Sequence, residues 1–119
     1  AASYALNNLC YSVTMAGERE ATAACQRAVA MGVVAPAVRN NFGLALGMTG
    51  HFDDAREQFE QAGGPAVAHY NMGVVYLARR EFKKAEEAFL QALRERPDSR
   101  LIVQRIEQAR AAGRVQEAQ

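Results

Sequence analysis

The residues best suited to acid–base or metal chemistry are two histidines and two adjacent carboxylate pairs. His51 falls in a turn and His69 near the start of a helix, and neither has a second ligand at metal-site spacing. The carboxylate pairs at residues 53–54 and 86–87 lie at the start or on the outer face of helices, where the helix dipole and solvent explain them. No phosphate-binding glycine loop, nucleophile elbow or Cys-x-x-Cys motif occurs. The sequence therefore predicts a protein that is not an enzyme and that binds no cofactor or metal.

Composition places the chain among ordered globular proteins, because 50% of its 119 residues are apolar and 23% are charged. No apolar run approaches the roughly 20 residues that a transmembrane helix needs, so we expect no direct membrane insertion. Basic residues cluster at positions 79–84, but Glu81 and residues 86–87 lie among them at ion-pair spacing. Nucleic-acid binding requires a sustained basic face, so the sequence predicts no nucleic-acid partner.

Three copies of one pattern follow each other along the chain. The tripeptide Asn-Phe-Gly at 41–43 recurs as Asn-Met-Gly at 71–73, and Asn-Leu-Cys at 8–10 precedes the first of these by 33 residues. At the offset of 30 residues, Phe59 also matches Phe89. A repeat of this length is typical of proteins built from stacked supersecondary units.

Each copy predicts two helices, A and B, joined by a short turn. Gly50 lies between two such helices, and Pro36, Pro65 and Pro97 lie at copy boundaries, where a missing backbone donor does no harm. Helix A is expected at about 3–16, 36–49 and 66–79, and helix B at about 20–31, 53–62 and 83–95. Small residues should allow the close approach, with Gly43 against Ala55 and Gly73 against Ala85, while Phe59 and Phe89 fill the adjoining space.

The third copy, residues 66–99, resembles a tetratricopeptide repeat in its small, aromatic and proline positions and in its length. These positions are held by Gly73, Tyr76, Ala85, Phe89, Ala92 and Pro97. The resemblance implies an all-α fold, a right-handed α-solenoid of three helix-turn-helix repeats with a C-terminal capping helix. We expect a single domain over 1–119, with repeats at about 3–35, 36–65 and 66–99, a capping helix at about 99–113 and a frayed polar tail at 114–119. Leu101, Ile102, Ile106 and Ala109 form the apolar stripe of the capping helix.

The two cysteines, Cys10 and Cys25, occupy positions that face each other within one tetratricopeptide repeat. Either they form a disulfide, which implies an oxidising compartment, or both are small buried hydrophobic residues. A bridged pair favours a periplasmic outer-membrane lipoprotein fragment, and an unbridged pair favours the cytoplasm. The sequence leaves both readings open.

The resemblance also implies that the A helices line a concave groove that binds a partner. Three asparagines recur at one repeat position, and an amide both donates and accepts, so this ladder would bind the backbone of an extended peptide. The alternative is that these amides only satisfy backbone groups between helices. The expected groove residues are Asn7, Asn8, Tyr11, Thr14 and Met15 in the first copy, Asn40, Asn41, Leu44, Gly47 and Met48 in the second, and Tyr70, Asn71, Val74 and Leu77 in the third.

The places of the family's carboxylate-binding charges hold Asn7, Tyr11, Val67 and Asn71 instead, so a groove for a terminal carboxylate is not expected. We expect a scaffold that binds an extended peptide or a helix of another protein. The Asn-rich A helices, the shortened second copy and the cysteines are similar to tetratricopeptide lipoproteins of bacterial tight-adherence pilus assembly. Two alternatives are a regulatory or anchoring domain of a larger enzyme and a self-assembling structural module that forms homo-oligomers.

Overall fold

A computed structural model describes residues 25–26 and 36–119, and these residues form helices joined by short turns, without a strand among them. The all-α prediction is confirmed for this part of the chain. The groove residues expected in the first copy, Asn7, Asn8, Tyr11, Thr14 and Met15, lie outside the described residues. The four helices of residues 36–119 are α1 (Pro36–Met48), α2 (Phe52–Ala78), α3 (Phe82–Glu95) and α4 (Arg100–Ala118).

Helix α2 contains two predicted helices, because residues 52–63 match helix B of the second copy and residues 65–78 match helix A of the third. Gly64 alone breaks the helical path, with φ 84° and ψ −174°, a conformation that only glycine adopts readily. Pro65 follows at the first helical position, where its missing N–H is harmless. The chain divides into two compact units between Gly64 and Pro65. The prediction of a single domain stays a prediction.

In the first unit, Gly43 of α1 lies against the ring of Phe59, which is fully buried. A β-carbon at position 43 would lie 2.7 Å from Cδ1 and 2.9 Å from Cζ of that ring. The close contact expected for Gly43 was with Ala55, which is also fully buried. The atoms that require a glycine are those of the aromatic ring, because they occupy the space of the missing side chain.

The second unit repeats this contact between Gly73 of α2 and Phe89 of α3, where a β-carbon would lie 2.8 Å from Cζ of the ring. Phe89 is fully buried in a cluster that α4 completes with Ile102 and Ile106. Half-buried apolar side chains from α2 and α3 surround this cluster. The capping role predicted for the last helix is therefore confirmed at these two positions.

The turns after α1 and after α2 use the same main-chain hydrogen bonds. The N–H of His51 donates to the carbonyl of Leu46 at 2.8 Å, and the N–H of Glu81 donates to the carbonyl of Tyr76 at 2.9 Å. The residue before each donor, Gly50 or Arg80, has a positive φ of 88° or 64°. The 30-residue repeat thus extends to the backbone conformation of the turn.

Helix α4 continues to Ala118, so the predicted end near Gly113 and the frayed tail at 114–119 are wrong. Ser99 caps its start, since the hydroxyl oxygen accepts a hydrogen bond from the N–H of Ile102 at 3.3 Å. Gly113 lies beside Phe82, and the side-chain amide of Gln116 donates to the carbonyl of Arg80 at 3.4 Å. These contacts with the turn before α3 explain why the helix continues through a glycine.

Among the residues that the structure describes, no helix is both long and apolar enough to cross a membrane.

Candidate partner-binding surface

One face of α1 carries the groove residues predicted for the second copy. Asn40, Asn41, Leu44 and Met48 are half-buried there, whereas their neighbours Phe42, Gly43, Ala45 and Leu46 are buried in the first unit. Gly47 is also buried, so its predicted place on the groove surface is wrong. The helical period separates the two sets of side chains, because residues three and four positions apart share a face.

In the second unit the predicted groove residues also contribute to internal packing. The ring of Tyr70 lies 5.6 Å from that of Phe89, at an interplanar angle of 55°, and its hydroxyl oxygen accepts a hydrogen bond from Nε of Arg105 at 3.2 Å. Val74 and Leu77 pack against the same core cluster. All three side chains are half-buried, so each has one side in the core and retains some exposed surface.

The predicted amides are not idle in the structure. Asn40, Asn41 and Asn71 each already have an interaction within the chain, and all three are half-buried. The alternative in which these asparagines stabilise the helix array therefore gains support. A partner peptide would have to share these amides with the chain itself.

A depression of about 190 Å³ lies beside Tyr70, between the A helix of the third copy and the start of α4. Its floor and walls are mostly apolar, from Val67, Tyr70, Leu101 and Ile102, with Arg96 at its edge. Leu101 is 50% exposed, which differs from its predicted burial with Ile102 in the stripe of α4. Adjacent residues on a helix point about 100° apart, so one of the two is turned to the outside.

Sequence reasoning missed Leu101 as a surface residue although a signal was present. Leu101 lies 34 residues after Val67, the family's repeat length, and so continues the groove position of the third copy into α4. Arg105 follows Asn71 by the same interval. The surface around Tyr70 therefore contains a cation, whereas the predicted groove was poor in charge.

The histidines and carboxylates do not converge on a chemical site in the described part of the chain. The buried Nδ1 of His69 lies 3.2 Å from a carboxylate oxygen of Glu95, a contact within the second unit. No group of three or more histidines, cysteines or carboxylates within metal-binding reach occurs among these residues.

Cys25 is fully buried and disulfide-bonded, and its sulfur lies 3.7 Å from the main-chain oxygen of Asn41. Cys10, its predicted partner, lies outside the described residues. The pairing of Cys10 with Cys25, and the compartment that it would imply, stay predictions.

Antiparallel helix pairs that repeat the same glycine–aromatic contact, followed by a capping helix, define a class of helical repeat proteins. Within that class, residues 66–99 match the family model of the tetratricopeptide repeat, and they identify the chain as a tetratricopeptide repeat protein. A search among curated proteins gives no match. Tetratricopeptide repeats are typically non-catalytic modules of protein–protein interaction, and the match supports that general role.

Proposed function

We propose that this protein is a non-enzymatic scaffold that binds a segment of a partner protein on the surface around Tyr70. The observation that carries the proposal is the apolar depression between Val67, Tyr70 and Leu101. Two of these residues come from the A helix of the matched repeat, and Leu101 is a large apolar side chain that is half-exposed. Exposed apolar depressions of this kind favour partner binding, because filling them removes apolar surface from water.

The size of the depression favours a side chain of a protein over a small-molecule substrate. Its volume of about 190 Å³ is below the roughly 300 to 1,000 Å³ of typical ligand pockets. One apolar anchor residue of the partner would fill it, while Arg96 and Ser99 at its edge would meet polar groups of the partner. An extended segment or one face of a helix can present such an anchor.

The corresponding face of α1 supports a longer contact. Asn40, Asn41, Leu44 and Met48 are half-buried and combine amides with adaptable apolar side chains. We include these four residues in the proposed binding surface as secondary contacts, because the three residues of the depression offer the larger apolar contact. The predicted contacts of the first copy belong to the same proposal.

Substitution of Leu101 tests the proposal with little risk to the fold. Leu101→Lys places a charge in the depression and should abolish capture of partner proteins from the native host, because an unpaired charge would be desolvated on binding. Val103→Lys is the matched control, since Val103 is 40% exposed on the same helix but does not line the depression. Equal capture by Leu101→Lys and the wild type would reject this surface.

The amides are tested in the same capture assay with the double variant Asn41→Ala/Asn71→Ala. Loss of capture together with a cooperative thermal transition close to that of the wild type would support a contact with the partner backbone. Unimpaired capture, or a collapse of the fold, would instead assign the two asparagines to internal structure, as their existing interactions suggest.

Pilus assembly remains the narrower proposal for the cellular setting, and it rests on the resemblance of the Asn-rich helices and the shortened second copy. Mass spectrometry of the proteins captured by Val103→Lys but not by Leu101→Lys would test it. Components of a pilus or secretion machine would support this setting. A catalytic subunit would favour the alternative of a regulatory or anchoring domain.

A further inference from the structure

The described charges of the chain are separated by sign between the two units. Residues 36–64 contain two basic and four acidic side chains, whereas residues 65–119 contain ten basic and seven acidic ones. With both histidines neutral, the first of these segments has a net charge of −2 and the second of +3. The net charge of +1 for the whole chain conceals this polarity.

The positive charge of the second unit surrounds a groove between the start of α3 and the last turns of α4. Two adjoining depressions, of about 190 and 440 Å³, share Phe82, Lys83 and Gly113. Phe82 is largely buried and forms an apolar floor. We call this surface the basic groove; the basic side chains that line it are Arg80, Lys83, Lys84, Arg110 and Arg114.

Most carboxylates of the basic groove are already paired. Glu86 accepts a hydrogen bond from Nε of Arg110 at 2.5 Å. Glu81 lies 3.1 Å from Nε of Arg79 and 3.4 Å from Nζ of Lys84, and the hydrogen bond from Arg79 is the main reason that the pKa of Glu81 is lowered. Glu117 is the remaining carboxylate that lines the groove.

The cations Arg80, Lys83 and Arg114 thus exceed the carboxylates that could neutralise them. None of the three has an ion pair within the described residues, and all three are exposed. Arg80 instead lies over the ring of Phe82, 5.6 Å from its centroid. An acidic ligand of the groove would therefore meet unpaired positive charge beside an apolar floor.

A complementary surface exists on the first unit of the same chain. Asp53, Glu57 and Glu60 follow each other at intervals of four and three residues, so they lie on one face of α2 and extend over about 10 Å. All three are exposed, and the nearest cation, Arg56, reaches only Asp53, at 3.8 Å. We call these three carboxylates the acidic stripe.

We propose that the basic groove receives the acidic stripe of a second copy of this chain, so that copies associate head to tail. Charge complementarity supports this occupant, because excess cations of one unit face excess carboxylates of the other in the neighbouring copy. A nucleic acid fits less well, since Glu86 and Glu117 line the groove among its cations and would repel a continuous phosphate backbone. The contact is heterologous, so further copies can add at either end.

Sedimentation of the full chain tests the proposal. The average mass of the wild type should rise with concentration in about 0.05 M NaCl, and the association should weaken about tenfold or more in about 0.5 M NaCl, because salt screens exposed charges. A wild type that stays monomeric at low salt and submillimolar concentration would overturn the proposal.

Charge reversal distinguishes the two surfaces. Lys83→Glu/Arg114→Glu and Glu57→Lys/Glu60→Lys should each be monomeric alone, and an equimolar mixture should form a complex in which the reversed surfaces pair. Arg94→Glu/Arg100→Glu changes the net charge as much as the first variant, outside the basic groove, and should associate like the wild type. If the first variant unfolds, Lys83→Gln/Arg114→Gln replaces it, with a loss of association of about tenfold expected.

Two results would contradict this assignment. A mixture of the two reversed variants that remains monomeric would show that the surfaces do not pair. Binding of a fluorescent oligonucleotide that Lys83→Glu/Arg114→Glu abolishes, with a monomeric wild type, would assign the groove to nucleic acid instead. Neither readout depends on Leu101, so both remain interpretable whatever becomes of the proposed partner surface.

Discussion

A missing side chain at position 73 allows Phe89 to reach the centre of the second unit. The ring occupies the volume in which a β-carbon would lie, and it is fully buried, so it has no free space into which to move. Gly43 and Phe59 make the same contact in the first unit. The glycines of the repeat pattern are therefore packing residues, since they provide space for an aromatic side chain.

We expect Gly73→Ala to lower the free energy of unfolding by about 1–3 kcal/mol, because the added methyl group overpacks the core. Gly113→Ala is the matched control, since a β-carbon there would meet Phe82 at an ordinary 3.5 Å. Because alanine is the better residue within a helix, this control should gain about 0.5–1 kcal/mol. Urea unfolding of the three proteins measures both changes.

A second substitution shows whether the ring causes the loss. Gly73→Ala/Phe89→Leu should lose less stability than the two single changes together, because a smaller side chain leaves room for the methyl group. Additive losses would show that the cost of Gly73→Ala arises from the backbone or from other neighbours.

Sequence reasoning identified these glycines and phenylalanines but paired the glycines with Ala55 and Ala85. A repeat pattern shows which positions lie in the core. It does not fix the rotamer of the ring, and the rotamer decides which atoms fill the gap beside a glycine. Leu101 was misplaced for a similar reason, because its exposure depends on the packing of α4 against the third copy.

At the level of the helices, the turns after α1 and α2 adopt the same conformation with different residues. Gly50 takes the positive φ without strain, whereas Arg80 takes it with a side chain attached. Nothing lies within 4 Å of a β-carbon placed on Gly50, so a substitution there changes the backbone energy and not the packing.

Gly50→Ala should therefore destabilise the protein by about 1 kcal/mol or more, because the left-handed conformation is costly for any residue with a side chain. Arg80→Gly should change stability in the opposite direction by a smaller amount, since it also removes the contact of the guanidinium with Phe82. Thermal unfolding gives both values. A loss of stability in Arg80→Gly would mean that this contact outweighs the backbone strain.

The helices themselves were largely predictable, because apolar periodicity and proline positions are local signals. Helices α1 and α3 begin and end within a residue or two of their expected bounds. Two features were not predictable in this way. The continuation of α2 past Gly63 and of α4 past Gly113 depends on the packing around the glycines, which local propensity does not contain.

At the scale of the whole molecule, the division at Gly64 separates two units that each have their own glycine–aromatic contact. In a repeat protein, stability is roughly a sum of the terms of individual units and of neighbour terms. A lesion in one core should therefore be felt most strongly within its own unit.

Phe89→Ala should reduce the hydrogen-exchange protection of amides in residues 65–119 far more than in residues 36–64, since removing a buried phenylalanine costs about 3–5 kcal/mol. Phe59→Ala is the mirror variant and should give the reverse distribution. Equal loss over both ranges in both variants would show that the two units unfold as one cooperative body.

The candidate binding surface was predictable in part, because the family resemblance indicates which face of an A helix meets a partner. Tyr70, Val74 and Leu77 are half-buried as a binding face requires, yet each also packs against the core of its own unit. A sequence pattern cannot separate these two demands on one side chain. The depression beside Tyr70 was missed because it needs Leu101 from the next helix.

The glycine–aromatic contacts also bear on how quickly the chain folds. Gly43 and Phe59 are sixteen positions apart, as are Gly73 and Phe89, so each contact closes only a short loop. Proteins dominated by such local contacts fold within microseconds to milliseconds, and repeat arrays can begin to fold at more than one place. Two equivalent nuclei are thus available, and a mutation that slows one should redirect folding through the other.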